Sequence, residues 1–248
     1  MRSLAFAVLC AGTLAGSYAA DLGTVSDGEI DKVVETVGTN DTERRVIKRR
    51  LSGWKELSTS PKHKGLGDPD KLKVVNDFMH ETPFYCDPVL WCKEDYWAKP
   101  LEFLSNDGGD CEDFSIAKYF TLRALGVAED RLRIVYAVYQ RQGFTGAHMV
   151  LAYYAAPDAE PLILDNLNPA VLPASARPDL VPVFSFNTQG LWGAKENKGR
   201  GQPVDAPYRS WTDHWKQVQN EGATRSVSPE QRKGAECQTL IQRSAWCR

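Results

Sequence analysis

The chain changes character at Gly126. Ahead of it, residues 30–37, 42–57 and 71–80 carry apolar side chains at helical spacing, separated by Gly, Asp and Pro. Pro100 to Leu104 reads as a short helical turn, and Ser115 to Leu125 as a full helix with Ile116, Ala117, Phe120, Ala124 and Leu125 along one face. Gly126 is its stop. Beyond it, residues 133–139, 147–154, 162–164 and 181–186 are rich in β-branched and aromatic residues and predict strands. Helices followed by strands exclude a repeating βαβ plan and predict an α+β fold. From Lys195 to Pro207 the composition is that of a linker, and 208–219 and 229–246 predict a helical appendage.

The first twenty residues read as a signal peptide: a basic start at Arg2, an apolar run from Leu4 to Ala15, and small residues for cleavage at Ser17 to Ala20. The run is too short to span a bilayer. Leu9 before Cys10 argues against a lipid anchor, so Cys10 leaves with the leader. About 228 of the 248 residues then form the exported chain, enough for one core. Thirty Lys and Arg stand against 32 Asp and Glu, and losing Arg2 leaves 29. That balance points away from nucleic acid and anionic membranes. The basic run from Arg44 to Arg50 reads as a solvated helix face. No P-loop, dinucleotide glycine motif, HExxH or CxxC occurs.

Of six cysteines, five remain after export, an odd number. Cys86 and Cys92 bracket a short loop, and Cys237 and Cys247 bracket part of the tail. In an oxidising compartment two local disulfides are the simplest pairing, with crossed pairings also open, and Cys111 is left over.

Cys111 sits in Gly108-Gly109-Asp110-Cys111-Glu112-Asp113-Phe114, just where a helix begins. A first-turn cysteine meets free N–H groups and the positive end of the helix dipole, which favour a thiolate. The competing reading is a buried structural thiol. A nucleophile needs a base and the base an orienting group. His63 lies in a polar loop, His80 ends a helix beside Glu81, and His214 lies between Trp211 and Trp215. His148 opens a strand after Gly146-Ala147, sharing a face with 150, 152 and 154. Asp165 follows the apolar strand Leu162-Ile163-Leu164. A register that sets Asp165 opposite His148 would place both on the side facing the Cys111 helix.

Tyr96-Trp97-Ala98-Lys99-Pro100, Gly109-Asp110-Cys111-Glu112-Asp113, Ala147-His148-Met149-Val150 and Leu164-Asp165-Asn166 together resemble the bacterial transglutaminase-like cysteine peptidases, and within them the LapG-type periplasmic proteases. The resemblance runs from about Lys71 to about Ala194, half the chain. It implies a papain/transglutaminase-like α+β core, with a Cys-bearing helix packed on an antiparallel sheet. With the leader and tail read above, the chain divides into a leader at 1–20, a peptidase domain at 21–195 and a linker with disulfide-bonded helical extension at 196–248. It implies a Cys111, His148, Asp165 triad with the Cys111 backbone N–H as oxyanion donor; Trp97 offers an indole N–H there or simply packs. It implies Ca²⁺ bound by Asp110 and Glu112, with Asp107 and Asp113 as further candidates, consistent with the taste of that ion for carboxylate oxygens. The expected activity is cleavage of a large secreted adhesin at a di-alanine site near its N-terminus, which controls biofilm attachment. The expected partner is an inner-membrane cyclic di-GMP receptor that sequesters the protease. The same triad also suits a transglutaminase-type acyltransferase, and the fold alone suits a non-catalytic binding protein.

Overall fold

The computed structural model describes residues 23–193, 226–227 and 229–243. Helices α1 (Asp27–Val37), α2 (Asp41–Thr59), α3 (Pro61–Lys64), α4 (Asp68–His80), α5 (Asp87–Trp91), α6 (Pro100–Ser105) and α7 (Cys111–Ala124) come first. Strands β1 (Leu132–Arg141), β2 (Phe144–Tyr153), β3 (Leu162–Leu164), β4 (Leu172–Pro173), β5 (Leu180–Asn187) and β6 (Gly190–Gly193) follow, then α8 (Pro229–Arg232) and α9 (Ala235–Arg243). The α+β order holds. The predicted tail helix is interrupted between Arg232 and Ala235; the predicted linker, residues 208–219, the leader and Cys247 lie outside the described residues.

Local chemistry accounts for the helix boundaries. Ser26 Oγ accepts the Glu29 N–H at 3.2 Å while Glu29 Oε2 accepts the Ser26 N–H at 2.9 Å, a reciprocal cap on α1. Asn40 Oδ1 accepts the Thr42 and Glu43 N–H groups, both at 3.0 Å, and starts α2. After α7, Gly126 takes a left-handed turn (φ 87°) that a side chain would strain.

The strands form one antiparallel sheet in the order β4-β3-β2-β1-β5-β6. Its inner face presents Ile134, Met149, Leu151, Tyr153 and Phe186 to the helices, where they join Leu51, Trp54, Leu72, Phe103 and Phe120 in one core. The Trp54 indole N–H donates to Thr121 Oγ1 at 2.8 Å, so the bulkiest buried ring of α2 is also hydrogen-bonded to α7. Val135, Val150, Ala152, Tyr154 and Ile163 form a smaller cluster on the opposite face. The basic run of α2 is a paired surface: Arg44 meets Glu35 and Asp41, Lys48 meets Asp31, and Arg50 meets Asp107.

Cys92 is bonded to Cys237, 145 positions away. The local pairing of Cys86 with Cys92, and of Cys237 with Cys247, is therefore corrected. Residues 87–91 coil into α5, and α8 and α9 dock on it, which carries Cys237 to Cys92. Cys86 is disulfide-bonded as well. Cys111 is the free cysteine among the described residues.

Candidate active site

Helix α7 begins at Cys111, so the thiol stands in its first turn, as the glycine-rich approach predicts. Gly109 must be glycine here. A Cβ on it would lie 2.3 Å from Asp113 Oδ2 and 2.8 Å from the Phe103 ring. The Gly109 carbonyl accepts the Tyr85 N–H at 2.9 Å, which brings the 84–92 segment alongside the thiol.

That segment adds Asp87, and the stretch after it Asp95, neither of which the motifs single out. Asp110, Cys111 and Glu112 form one group of ligand atoms within 4.8 Å of one another; Asp87, Asp110 and Asp113 form a second, and Asp87, Asp95 and Glu112 a third. Asp113 accepts the Ala98 N–H at 2.6 Å and the Asp110 N–H at 3.3 Å, so much of its capacity is spent on the backbone. Asp107 is elsewhere: it pairs with Arg50 on the surface, which answers its candidacy beside the thiol. Asp87 begins a helix in front of a proline, and by sequence looks like any first-turn acid.

The electrostatics around Cys111 run against the sequence expectation. Burial and then the charges of Glu112 and Asp110 push its thiol well above the ordinary range, and Sγ lies 3.1 Å from Glu112 Oε2. The helix N-terminus is present, but burial and then the adjacent carboxylates act against it. Burial, followed by the Glu112 charge, likewise raises Asp87 to about 9. Asp87 Oδ1 and Asp110 Oδ1 meet no hydrogen-bond donor among the described residues.

His148 Nε2 lies 2.7 Å from Asp165 Oδ1, with both side chains essentially buried. The register differs from the one anticipated. Strand β3 pairs Leu164 with Leu151 and ends there, so Asp165 stands past the strand end and does not face His148 directly. Nor does His148 share the face of the main core, since Val150, Ala152 and Tyr154, its partners in alternation, form the opposite cluster. At His148, β2 has β1 on one side and no β3 on the other. The ring therefore occupies a free strand edge at the helix start.

Three further groups hold Asp165. Oδ1 also accepts the Leu167 N–H at 2.9 Å, and Oδ2 accepts Arg177 Nη2 at 2.7 Å. His80 Nε2 lies 2.8 Å from the Asp165 carbonyl oxygen, so the histidine ending α4 braces the same residue. Lys118, one face of α7 further along, is fully buried and senses the Asp165 charge. Burial pushes the Asp165 carboxyl up, but the His148 hydrogen bond and charge, the Leu167 N–H and Arg177 together bring it down to about 2. His63 caps α3 through Ser60, with Nδ1 to Oγ at 2.8 Å, and His214 lies outside the described residues.

Cys111 and His148 line one cavity of about 350 Å³ with Asp87, Asp110, Glu112, Trp97 and Met149. Trp97 stacks on Phe186 with ring centroids 6.1 Å apart, and its N–H donates to Asp95 at 3.0 Å. That bond commits the indole to Asp95. Cys111, from a helix start, and His148, from a strand edge, thus line one cavity, and Asp165, past a strand end, is bonded to His148.

Residues 59–188 match the family model described as bacterial transglutaminase-like cysteine proteinase. The chain belongs to that family. Among solved structures, calcium-bound LapG of Legionella pneumophila is 40% identical, covering 78% of this chain and 99% of its own, with a TM-score of 0.63. The EGTA-treated form of that protein is 38% identical over 79% of this chain and 99% of its own, also with a TM-score of 0.63. No curated protein sequence matches. The fold is thus the transglutaminase-like peptidase fold, and the family is one of cysteine peptidases. Among the described residues no helix is long and apolar enough to cross a membrane.

Proposed function

We propose that the chain is an exported, calcium-dependent cysteine endopeptidase of the periplasm, with Cys111 as nucleophile, His148 as base and Asp165 as the group that orients it. The observation that carries this reading is that His148, bonded to the buried Asp165, lines one cavity with the one free thiol among the described residues, in a chain of this family.

Asp165 holds Nε2 of His148, which leaves Nδ1 for the thiol proton. Cys111 Sγ attacks the scissile carbonyl carbon as its proton passes to Nδ1. The Cys111 backbone N–H, in the first turn of α7, stabilises the oxyanion. His148 returns the proton to the leaving amine as the C–N bond breaks. Water, deprotonated by His148, then hydrolyses the thioester and restores the thiol.

The acid cluster fits a hard cation. Buried carboxylates crowd together, and two oxygens lack any donor among the described residues. Asp110 and Glu112 would hold Ca²⁺, with Asp87 and Asp95 within reach of the same group. Bound there, the ion supplies positive charge beside Cys111, where the carboxylates otherwise oppose a thiolate. The calcium-bound and EGTA-treated forms of the Legionella LapG support this assignment.

The substrate is a large surface adhesin, cut after a pair of alanines near its N-terminus, so that cleavage releases it and ends attachment. Control by a cyclic di-GMP receptor of the inner membrane belongs to the same reading. The test is incubation with an adhesin N-terminal fragment containing Ala-Ala, in Ca²⁺ or in excess chelator, beside Cys111→Ala. We expect two fragments in Ca²⁺ alone and none from the variant. Cleavage by Cys111→Ala would refute the nucleophile, and full activity in excess chelator would refute the calcium requirement.

A further inference from the structure

Arg177 lies in none of the motifs that mark the site by sequence. It follows the short turn at Ala174–Ala176 and stands on the far side of Asp165 from His148. Its side chain is 5% exposed. Nη2 donates to Asp165 Oδ2 and to Asp179 Oδ2, both at 2.7 Å, and Nε donates to Asp179 Oδ1 at 2.9 Å. The guanidinium is thus fixed by Asp179 through two parallel bonds before it reaches Asp165. Such a planar fork resists rotation in a way that an ammonium does not. The two oxygens of Asp165 are therefore divided, with His148 and the Leu167 N–H on one and Arg177 on the other.

We propose that Arg177, held by Asp179, is a positioning residue of the peptidase: it locks the Asp165 carboxylate in the rotamer that receives His148 Nε2. The inference rests on the triad reading given above. A carboxylate at a strand end, past the last ladder pair, has no sheet neighbour to hold it, and the Asp179–Arg177 arm takes that place. Without Arg177, Asp165 would keep His148, the Leu167 N–H, Lys118 of α7 and His80 on its carbonyl. Its second oxygen would lose its bonded cation, and the residual charge of Asp179 would favour protonation. The depressed carboxyl would rise, and the acid side of the rate profile would move up with it.

The test compares Arg177→Gln and Arg177→Lys with wild type in the full chain, measuring kcat and KM across pH. It also follows the NMR signal of the proton on His148 Nε2. We expect Arg177→Gln to lower kcat about 10- to 100-fold, the range seen on removing outer partners of metal-bound histidines. KM should stay within about twofold, since the loss falls on the reacting groups. The acid limb should shift to higher pH, the Nε2 proton should broaden or move upfield, and Arg177→Lys should recover part of kcat. A folded Arg177→Gln with wild-type kcat, acid limb and Nε2 proton overturns the proposal. If Arg177→Gln does not fold, Arg177→Lys decides alone: lowered kcat with a raised acid limb supports it, and wild-type values overturn it. If wild type cleaves nothing, the peptidase reading fails, and the Nε2 signal, which needs no turnover, still decides whether Arg177 orders the His148–Asp165 pair.

Discussion

Lys118 is a costly residue near the site. It is fully buried, Nζ has no hydrogen-bond partner among the described residues, and burial pushes it down to about 7 despite the pull of Asp165. Between about pH 7 and pH 10 the unfolded chain carries a proton on this amine that the folded chain lacks. Stability therefore rises with pH across that window, and the full penalty, about 3–5 kcal/mol, is felt below it. Lys118→Met, close in volume, should raise the unfolding midpoint clearly at mildly acid pH and little near pH 10. A variant less stable than wild type in mild acid would show that the Asp165 charge repays the burial. The residue scale was only partly legible in sequence. Cys111, His148 and Asp165 stood out because nucleophile, base and acid chemistry narrows the choice of residue type. Arg177, Asp87 and Lys118 did not, because each acts through a neighbour distant in the chain, and nothing in its own surroundings distinguishes it from a surface charge or a capping acid.

At the scale of elements, periodicity located the long helices and strands β1, β2, β3 and β5 to within a few residues. It missed α3, α5, β4 and β6, which have four, five, two and four residues, and so placed His63 in a loop. A segment that short spans barely one period, so tertiary contact decides its conformation. The missed α5 is also where the disulfide expectation failed. Once 87–91 coils, the two cysteines flanking it are no longer the natural partners, and α8 and α9 pack against it. Cys237 is 2% exposed and bonded to Cys92, closing a loop of 145 positions. Loop-closure entropy for such a span amounts to about 5 kcal/mol in the chain-entropy model. Cys237→Ser should cost about 2–5 kcal/mol in denaturant unfolding, with Cys92 becoming reactive to thiol reagents. An unchanged midpoint would mean that the docking of α8 and α9 suffices without the bond.

At the scale of the whole molecule, the sheet and the helical layer leave a cavity where the start of α7, the free edge of β2 and the 84–92 segment meet. Its walls divide the chemistry among them. Helix α7 brings Cys111, the sheet brings His148 with Asp165 bonded to it, and the 84–92 segment adds Asp87 to the acid cluster. The α+β order and the family were legible in sequence because the motifs occur in chain order. The placement of His148 at the cavity was not, because it depends on β3 stopping at Leu164. A hydrolase and an acyltransferase could share this arrangement, and the acceptor distinguishes them. The decisive measurement is mass analysis of the products formed from the Ala-Ala adhesin fragment with Ca²⁺ in water enriched in heavy oxygen. Hydrolysis predicts two fragments whose masses sum to the substrate plus one water, with heavy oxygen in the new C-terminal carboxylate. Joined chains with loss of ammonia, or intact substrate beside a folded and calcium-loaded protein, would contradict the account.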